Sequence, residues 1–230
     1  SPLGVGMNQT HIFSVQADLS EAMTHEILVT AELTDDIRPE DNSNSTEVSN
    51  FGSAADFPFF SDFEETDGGL FAYGSNSTWE WGAPTGEIIS AAASGENAWV
   101  TNLDGEYGDS ERSYLELPCL DFFDLTVDPV ISFEHIFETE SCCDGGWVEY
   151  STNAGESWNK LNGDAEAVNW YNNPLSQRWD GSSEGWRTAS SSLRALAGFS
   201  DVRIRFSMNS DFAVGSEGFG LDSLSISAGE

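Results

Sequence analysis

Two acidic residues, each next to an apolar residue, are the first candidates for chemistry in this sequence. Glu64 follows Phe63 near the start of the larger part of the chain, and Asp222 follows Leu221 near its end. If these segments are neighbouring strands of a sandwich, the two carboxylates can meet, and they would repel each other unless a cation joined them. Carboxylate oxygens suit calcium. The pair therefore predicts a structural calcium site, and the alternative is two solvated surface carboxylates.

The stretch 163–186 is a candidate binding loop because it is long and rich in Asn, Gly and aromatic residues. Trp170, Tyr171, Asn172 and Trp179 lie within it. Aromatic rings that stack on a sugar, with amides that bond its hydroxyl groups, are typical of carbohydrate recognition. We expect these four residues to form the ligand-binding set, with glycans as candidate partners. The alternative is a loop packed down by its own side chains as an Ω-loop.

Catalytic motifs are absent from the sequence. His11, His25 and His135 are scattered, and the chain has no H-E-x-x-H, G-x-S-x-G or phosphate-binding glycine motif. A glycosidase requires only two carboxylates, but a chain with 40 acidic residues always offers such pairs, so their presence carries no information. We expect a protein that is not an enzyme.

The charge balance excludes two classes of partner. The chain has 40 acidic and 8 basic residues, which gives a formal net charge of -32. Nucleic acids and anionic membrane surfaces both require clusters of basic residues, which this chain lacks. No apolar run approaches the roughly 20 residues that cross a bilayer, so we also expect no membrane insertion.

The cysteines and the first residues indicate export. Adjacent cysteines rarely bond to each other, so the predicted disulfide joins Cys119 to Cys142 or Cys143 and leaves one thiol over. Such a bridge favours an oxidising compartment, and buried free cysteines are the alternative. The chain begins at Ser1 without a Met, and we expect it to be a mature or excised segment of a secreted or cell-surface protein.

Apolar alternation predicts an all-β protein. In residues 1–50 it predicts strands at 11–17, 26–33 and 45–49. From residue 51 onward the predicted strands are short and separated by Gly, Ser and Asn, and they lie at 98–101, 113–117, 130–137, 147–151, 202–207 and 223–226. Residues 190–197 are the one stretch of helical character, with a strand or turn as the alternative. Many short strands between turns predict a jelly-roll β-sandwich over residues 51–230.

The first 50 residues resemble the end of an Ig-like module of bacterial surface proteins. The resemblance covers Asp18 to Val48, where an apolar strand leads into an Asp- and Asn-rich loop and a closing strand. It implies a partial Ig-like β module, or linker strands, whose front half lies upstream or is supplied by another chain.

Residues 60–226 resemble a MAM-like jelly-roll domain of large secreted or surface-anchored bacterial proteins. The motifs that carry the resemblance, in chain order, are Phe63-Glu64, Gly95-Glu96-Asn97-Ala98-Trp99, Tyr114-Leu115-Glu116-Leu117-Pro118, Ile131-Ser132-Phe133 and Gly220-Leu221-Asp222-Ser223-Leu224. Related calcium-binding jelly rolls imply a structural calcium ion held by Glu64 and Asp222, which Glu65, Asp67 and Asp104 would complete. The cysteines do not follow the framework of the animal domains, so no pairing is carried over.

One further segment is similar to the Asp-box hairpin. Residues 151–158 follow its pattern, with Asn153 in place of Asp and Ser157 in place of Thr, and they end at Trp158. The motif is structural wherever it occurs, and one copy is no indication of a sialidase.

These features together predict a non-catalytic, calcium-stabilised adhesion or structural module of a large extracellular protein. Its expected partners are other domains, or other copies, of the same surface protein. A carbohydrate-binding module attached to a secreted hydrolase is the alternative.

Overall fold

The chain forms two compact units in a computed structural model, Ser1–Asn50 and Phe51–Glu230. The structure describes residues 10–19, 23–32, 38, 40, 42–50 and 54–229.

The described part of the first unit contains one antiparallel hairpin. Strand β1 (Met23–Thr30) pairs with β2 (Ser43–Asn50), so that Ile27 lies opposite Thr46. The hairpin confirms two of the predicted strands, although Leu33, at the end of one of them, lies outside the described residues. Two strands alone are marginal in water, so this hairpin requires further packing to be stable.

The predicted strand at 11–17 is wrong. No strand forms there, and Ile12 and Val15 are among the most exposed apolar side chains of the described residues. Alternation of apolar and polar residues produces a strand only where a neighbour pairs with its backbone. The described part of the chain supplies no such neighbour to this segment.

Residues 54–229 form a sandwich of two antiparallel sheets. The strands are β3 (Phe59–Ser61), β4 (Phe71–Ser75), β5 (Trp79–Gly82), β6 (Ala98–Thr101), β7 (Arg112–Glu116), β8 (Pro129–Glu138), β9 (Gly145–Ser151), β10 (Asn159–Lys160), β11 (Arg187–Ser192), β12 (Arg203–Asn209) and β13 (Gly218–Ala228). One sheet has five strands in the order β10-β9-β12-β7-β4. The other has six, in the order β11-β8-β13-β6-β5, with β3 also paired to β13. The chain crosses repeatedly between the sheets, and the predicted all-β sandwich is confirmed.

Period-two alternation creates the core between the sheets. On β12, Ile204, Phe206 and Met208 are buried in the core, while the intervening residues lie on the opposite face. Phe206 meets Phe133 of β8 edge to face, with ring centroids 4.9 Å apart, and this contact joins the two sheets. Burying one such ring contributes about 1.5–3 kcal/mol, so the alternating apolar residues account for the sandwich.

Each of the six strands predicted beyond residue 51 overlaps one observed strand. The stretch 190–197 is the end of β11 followed by a short 3-10 helix, Arg194–Leu196. No helix in the described part of the chain is both long enough and apolar enough to cross a membrane.

The predicted disulfide is also wrong. The structure bonds Cys142 to its neighbour Cys143 in the turn between β8 and β9, and Cys119 is a free thiol. Partial burial raises the pKa of that thiol.

Strand register explains why the predicted bridge cannot form. Cys119 lies beside Val202, the residue before β12, and Gly145, two residues after Cys143, pairs with Asn209 at the other end of that strand. At roughly 3.3 Å per residue, these positions are about 20 Å apart, and a disulfide requires Cα atoms within about 7 Å. The two cysteine sites are therefore at opposite ends of the sheet.

Candidate functional site

The predicted calcium ligands Glu64 and Asp222 both bind the loop of residues 83–97, which joins β5 to β6. Both oxygens of Glu64 accept hydrogen bonds from the backbone N–H of Glu96, at 2.9 and 3.1 Å, and Oε1 also accepts one from the N–H of Asn97 at 3.1 Å. Asp222 Oδ2 accepts a hydrogen bond from the N–H of Ser94 at 2.9 Å. The fold therefore brings the start and the end of the sandwich unit to one loop, and a shared cation stays a prediction.

The environment of Asp222 disfavours its negative charge. The residue is fully buried. Burial and, to a smaller extent, the charge of Glu64 raise its pKa, although hydrogen bonds from the backbone of Ala93, Ser94 and Ser223 lower it in part. A cation between the two carboxylates would relieve both costs.

The other three predicted ligands do not join this pair. Glu65 and Asp104 are exposed, and the Oδ1 atom of Asp67 accepts the N–H of Gly69 at 2.8 Å. The described residues contain two groups of three potential metal ligands within 4.8 Å of one another, Glu140 with Cys142 and Cys143, and Glu140 with Asp144 and Asp211. Neither group includes a predicted ligand.

The carboxylate oxygens of Glu64 and Asp222 are of the type that binds calcium, but two residues are too few to complete a site. Calcium takes oxygen ligands from carboxylates and backbone carbonyls. Each carboxylate oxygen has two lone pairs, so acceptor capacity remains beyond the loop amides. The two residues can supply carboxylate ligands, and an ion would require further oxygens from the surrounding backbone or from water.

The predicted ligand-binding residues lie together in what we call the aromatic pocket. Trp170, Tyr171, Asn172 and Trp179 line a cavity of about 280 Å³, together with His135 of β8. Trp170 and Trp179 meet edge to face with centroids 5.4 Å apart, and Tyr171 contacts Trp179 at 4.7 Å. The four residues predicted to bind a ligand therefore line one cavity, and their role in binding stays a prediction.

The polar atoms of this set hold the loop in place. Trp170 Nε1 donates to the carbonyl oxygen of Leu161 at 3.1 Å, and the Tyr171 hydroxyl donates to the same oxygen at 2.8 Å. Asn172 bonds the backbone of Asp180 in both directions, at 2.7 and 2.9 Å. The alternative of a packed-down loop thus describes these polar groups and also Trp179, which is 1% exposed and belongs to the core, so only the partly exposed rings of Trp170 and Tyr171 are open to a ligand among the predicted aromatic residues.

His135 is neutral in this pocket. Its Nδ1 lies 2.8 Å from the carbonyl oxygen of Arg187, and the side chain is almost completely buried. Burial lowers its pKa to about 4. The imidazole is therefore an uncharged, packed group at neutral pH.

Sequence reasoning missed a second polar and aromatic surface on the outer side of the five-stranded sheet. We call it the Arg205 face, and its residues are Tyr73, Tyr114, Glu116, Trp147, Glu149, Arg205 and Ser207, with Trp158 from the Asp-box hairpin. The signal was present in the alternation of the predicted strands, because Tyr114 and Glu116 flank the core residue Leu115, and Arg205 precedes the core residue Phe206.

Comparison with known proteins identifies one curated relative and several solved structures of similar fold. No protein-family model matches it. It is 30% identical over 167 residues to Bacillopeptidase F of Bacillus subtilis (strain 168), a match that covers 72% of this chain but 10% of that protein. The chain therefore spans about a tenth of the length of this curated relative.

Solved structures with a similar arrangement are β-sandwich domains. The K1 cleaved adhesin domain of Lys-gingipain from Porphyromonas gingivalis W83 is 14% identical, with a TM-score of 0.46 over 76% of this chain and 100% of that domain. The CBM22-1 xylan-binding domain of Paenibacillus barcinonensis Xyn10C is 14% identical, with a TM-score of 0.45 over 77% of this chain and 97% of that domain. Both scores lie below 0.5, so neither similarity indicates a function.

Proposed function

We propose that residues 51–230 are a MAM-like, calcium-stabilised binding module that serves adhesion in a large secreted or cell-surface protein and has no catalytic activity. The aromatic pocket is the observation that carries this proposal. It is a concave site lined by Trp170, Tyr171 and Trp179, which is the composition of binding cavities.

The groups around the pocket are unsuited to hydrolysis. Its described lining includes no carboxylate, whereas glycoside hydrolysis requires a pair. His135 is held neutral with Nδ1 against a backbone carbonyl, so its orientation is fixed by packing. His135 therefore stabilises the cavity, and a ligand would contact the partly exposed rings.

Calcium has a structural role in this proposal. Glu64 and Asp222 would hold the ion, which would neutralise the two carboxylates and fix the loop of residues 83–97. An ion that binds only the folded state raises stability by mass action.

The first unit would connect the module to its neighbours. Its hairpin exposes Leu28, Val29 and Val48 among the described residues. A two-stranded sheet with exposed apolar residues requires covering by further strands. We propose that it is part of an Ig-like module completed by another segment of the surface protein.

A carbohydrate-binding module attached to a secreted hydrolase is the second candidate. The partly exposed ring of Trp170, beside Tyr171, favours it, because ring faces stack on sugars.

Beads coated with the whole chain provide a direct test of adhesion. We expect the beads to aggregate in calcium and to disperse in EDTA, because the partner is another copy of the protein and the module is stabilised by calcium. Release of reducing sugar from polysaccharides by the chain, abolished by removal of one carboxylate pair, would contradict the non-catalytic assignment.

A further inference from the structure

A strip of partly exposed rings crosses the Arg205 face. Phe71 stacks on Tyr73 with centroids 5.6 Å apart, and Tyr73 contacts Tyr114 of the next strand at 5.2 Å. The guanidinium of Arg205 then lies between two rings, 3.7 Å from the centroid of Tyr114 and 3.9 Å from that of Trp158. The strip therefore continues from β4 across β7 and β12 to the Asp-box hairpin.

Hydrogen bonds fix the polar groups of this face in one arrangement. Glu149 Oε2 accepts a hydrogen bond from Nε of Arg205 at 2.7 Å and forms an ion pair with Nη2 at 2.6 Å, and Nη1 donates to the hydroxyl of Tyr73 at 2.8 Å. That hydroxyl in turn donates to Oε2 of Glu116 at 2.8 Å. A ligand that met this network would find donors and acceptors already ordered, which lowers the entropic cost of binding.

Two buried polar atoms on the face have no hydrogen-bond partner among the described residues. They are Oε1 of Glu116 and Oγ of Ser207, in residues that are 1% and 2% exposed. The ion pair of Oε1 with Nη1 of Arg203, at 3.8 Å, is too long for a hydrogen bond. A buried polar atom without a partner costs stability, and in native proteins it calls for an explanation, such as an ordered water or a bound ligand.

Strand register places both atoms within the strip of rings. Ser207 lies directly between Tyr114 on β7 and Trp147 on β9, and Glu116 lies next to Arg205. Both side chains are on the outer side because the alternating residues of β12 and β7 enter the core. The unsatisfied atoms therefore belong to the same surface as the rings.

The charges on the face favour a neutral ligand. Four of the eight basic residues of the chain, Arg112, Lys160, Arg203 and Arg205, occupy outward positions of this sheet, but the last two are paired with carboxylates. A polyanionic ligand would be repelled by those carboxylates. A hydroxyl group can donate to one residue and accept from another, and a sugar ring can stack on an aromatic side chain.

We propose that the Arg205 face is a binding site for a neutral polysaccharide, which rests on the proposed function and names a ligand class for this binding module. Five strands about 4.8 Å apart give the face a width of about 19 Å, which accommodates several consecutive sugar residues. Arg205 covers one face of Tyr114 and one face of Trp158, so the sugar would stack on the opposite faces of these rings, and Glu116 and Ser207 would bond its hydroxyl groups.

Affinity electrophoresis of the whole chain tests this site, with gels containing a soluble β-1,4-glucan, β-1,4-xylan, mannan or the acidic polygalacturonate. We expect at least one neutral polymer to retard the protein. Tyr114→Ala should abolish that retardation, and Phe60→Ala, which removes an exposed ring from β3 on the other sheet, should leave it unchanged. Unfolding midpoints of both variants check that each one is folded.

Ser207→Ala separates ligand binding from a structural role. If the hydroxyl serves only the fold, its removal lowers the unfolding midpoint and leaves retardation unchanged. If it is kept for a ligand, the midpoint stays or rises while affinity falls by about tenfold, the equivalent of one hydrogen bond.

Three results would overturn the proposal. Retardation lost in Trp170→Ala and kept in Tyr114→Ala would assign the ligand to the aromatic pocket. Retardation by polygalacturonate alone would replace a neutral ligand with an acidic one. Absence of retardation by every polymer would remove the polysaccharide site, whereas calcium-dependent bead aggregation would still support the adhesion module.

Discussion

Glu64 and Asp222, 158 positions apart in the sequence, accept hydrogen bonds from the backbone of the same loop within three residues of each other, Ser94 for Asp222 and Glu96 for Glu64. A third carboxylate completes this arrangement, because Glu217 accepts the N–H groups of residues 87–89. The loop of residues 83–97 has no strand of its own, so three acidic side chains take the place of a neighbouring strand. Its order therefore depends on the hydrogen bonds that these three carboxylates accept.

Glu217 should be the most important of these for the loop itself. Glu217→Ala leaves the backbone N–H groups of Glu87, Ile88 and Ile89 without acceptors, and we expect a loss of about 1–3 kcal/mol in the free energy of unfolding. Urea denaturation measures the loss, and hydrogen exchange should accelerate at residues 87–89. Unchanged exchange at those amides would show that the carboxylate does not hold the loop.

In the absence of calcium, Asp222 should make the folded protein more stable as the pH falls. Its raised pKa means that the folded state binds the proton more readily than the unfolded chain. Its contribution to stability therefore grows as the pH falls through the raised pKa and is lost as the pH rises above it. In EDTA, from neutral pH to about pH 4, wild type should gain stability relative to Asp222→Asn. A difference that is independent of pH would contradict the raised pKa.

The titration of His135 should lower the stability of the folded protein as the pH falls. Burial lowers its pKa to about 4, so the unfolded chain takes up this proton more readily than the folded one. The stability that the neutral imidazole contributes is complete above pH 6.5 and declines as the pH falls from there toward about 4. Proton NMR of the imidazole should show no titration near neutral pH. An apparent pKa near the ordinary value would show that the pocket is open to water.

The disulfide pairing predicts a simple labelling pattern. Alkylation of the unfolded, unreduced chain should modify Cys119 and leave Cys142 and Cys143 joined to each other. Mass spectrometry of the digested protein identifies the modified peptide. A peptide that links Cys119 to either of the other two would contradict the strand register.

Predictions from sequence succeeded where a strand has one apolar face. Residues 130–137 and 202–207 alternate clearly, because their inner residues fill the core while the others remain outside. Two of the strands that were missed, β4 and β11, lack this pattern. Strand β11 reads RTASSS, and β4 contains Gly74, so their strand structure comes from neighbours distant in the sequence.

The sequence also identified residues of the aromatic pocket but did not predict the contacts that they make in the folded protein. The amide of Asn172 has the chemistry to bind a sugar, but in the folded protein it bonds the backbone of Asp180. Arg205 gave no signal as a single residue, because its position between Tyr114 and Trp158 depends on the pairing of β12 with β7 and on the fold of the hairpin. The sequence shows which chemical groups are present, but the tertiary contacts determine which of them are accessible to a ligand.

Thermal unfolding of the whole chain in calcium and in excess EDTA tests the calcium-stabilised module most directly. We predict a marked rise in the unfolding midpoint with calcium, lost in Asp222→Ala and kept in Asp104→Ala, a matched change at an exposed carboxylate. A midpoint that calcium and EDTA leave unchanged would mean that loop amides alone satisfy Glu64 and Asp222, and would contradict the calcium-stabilised module.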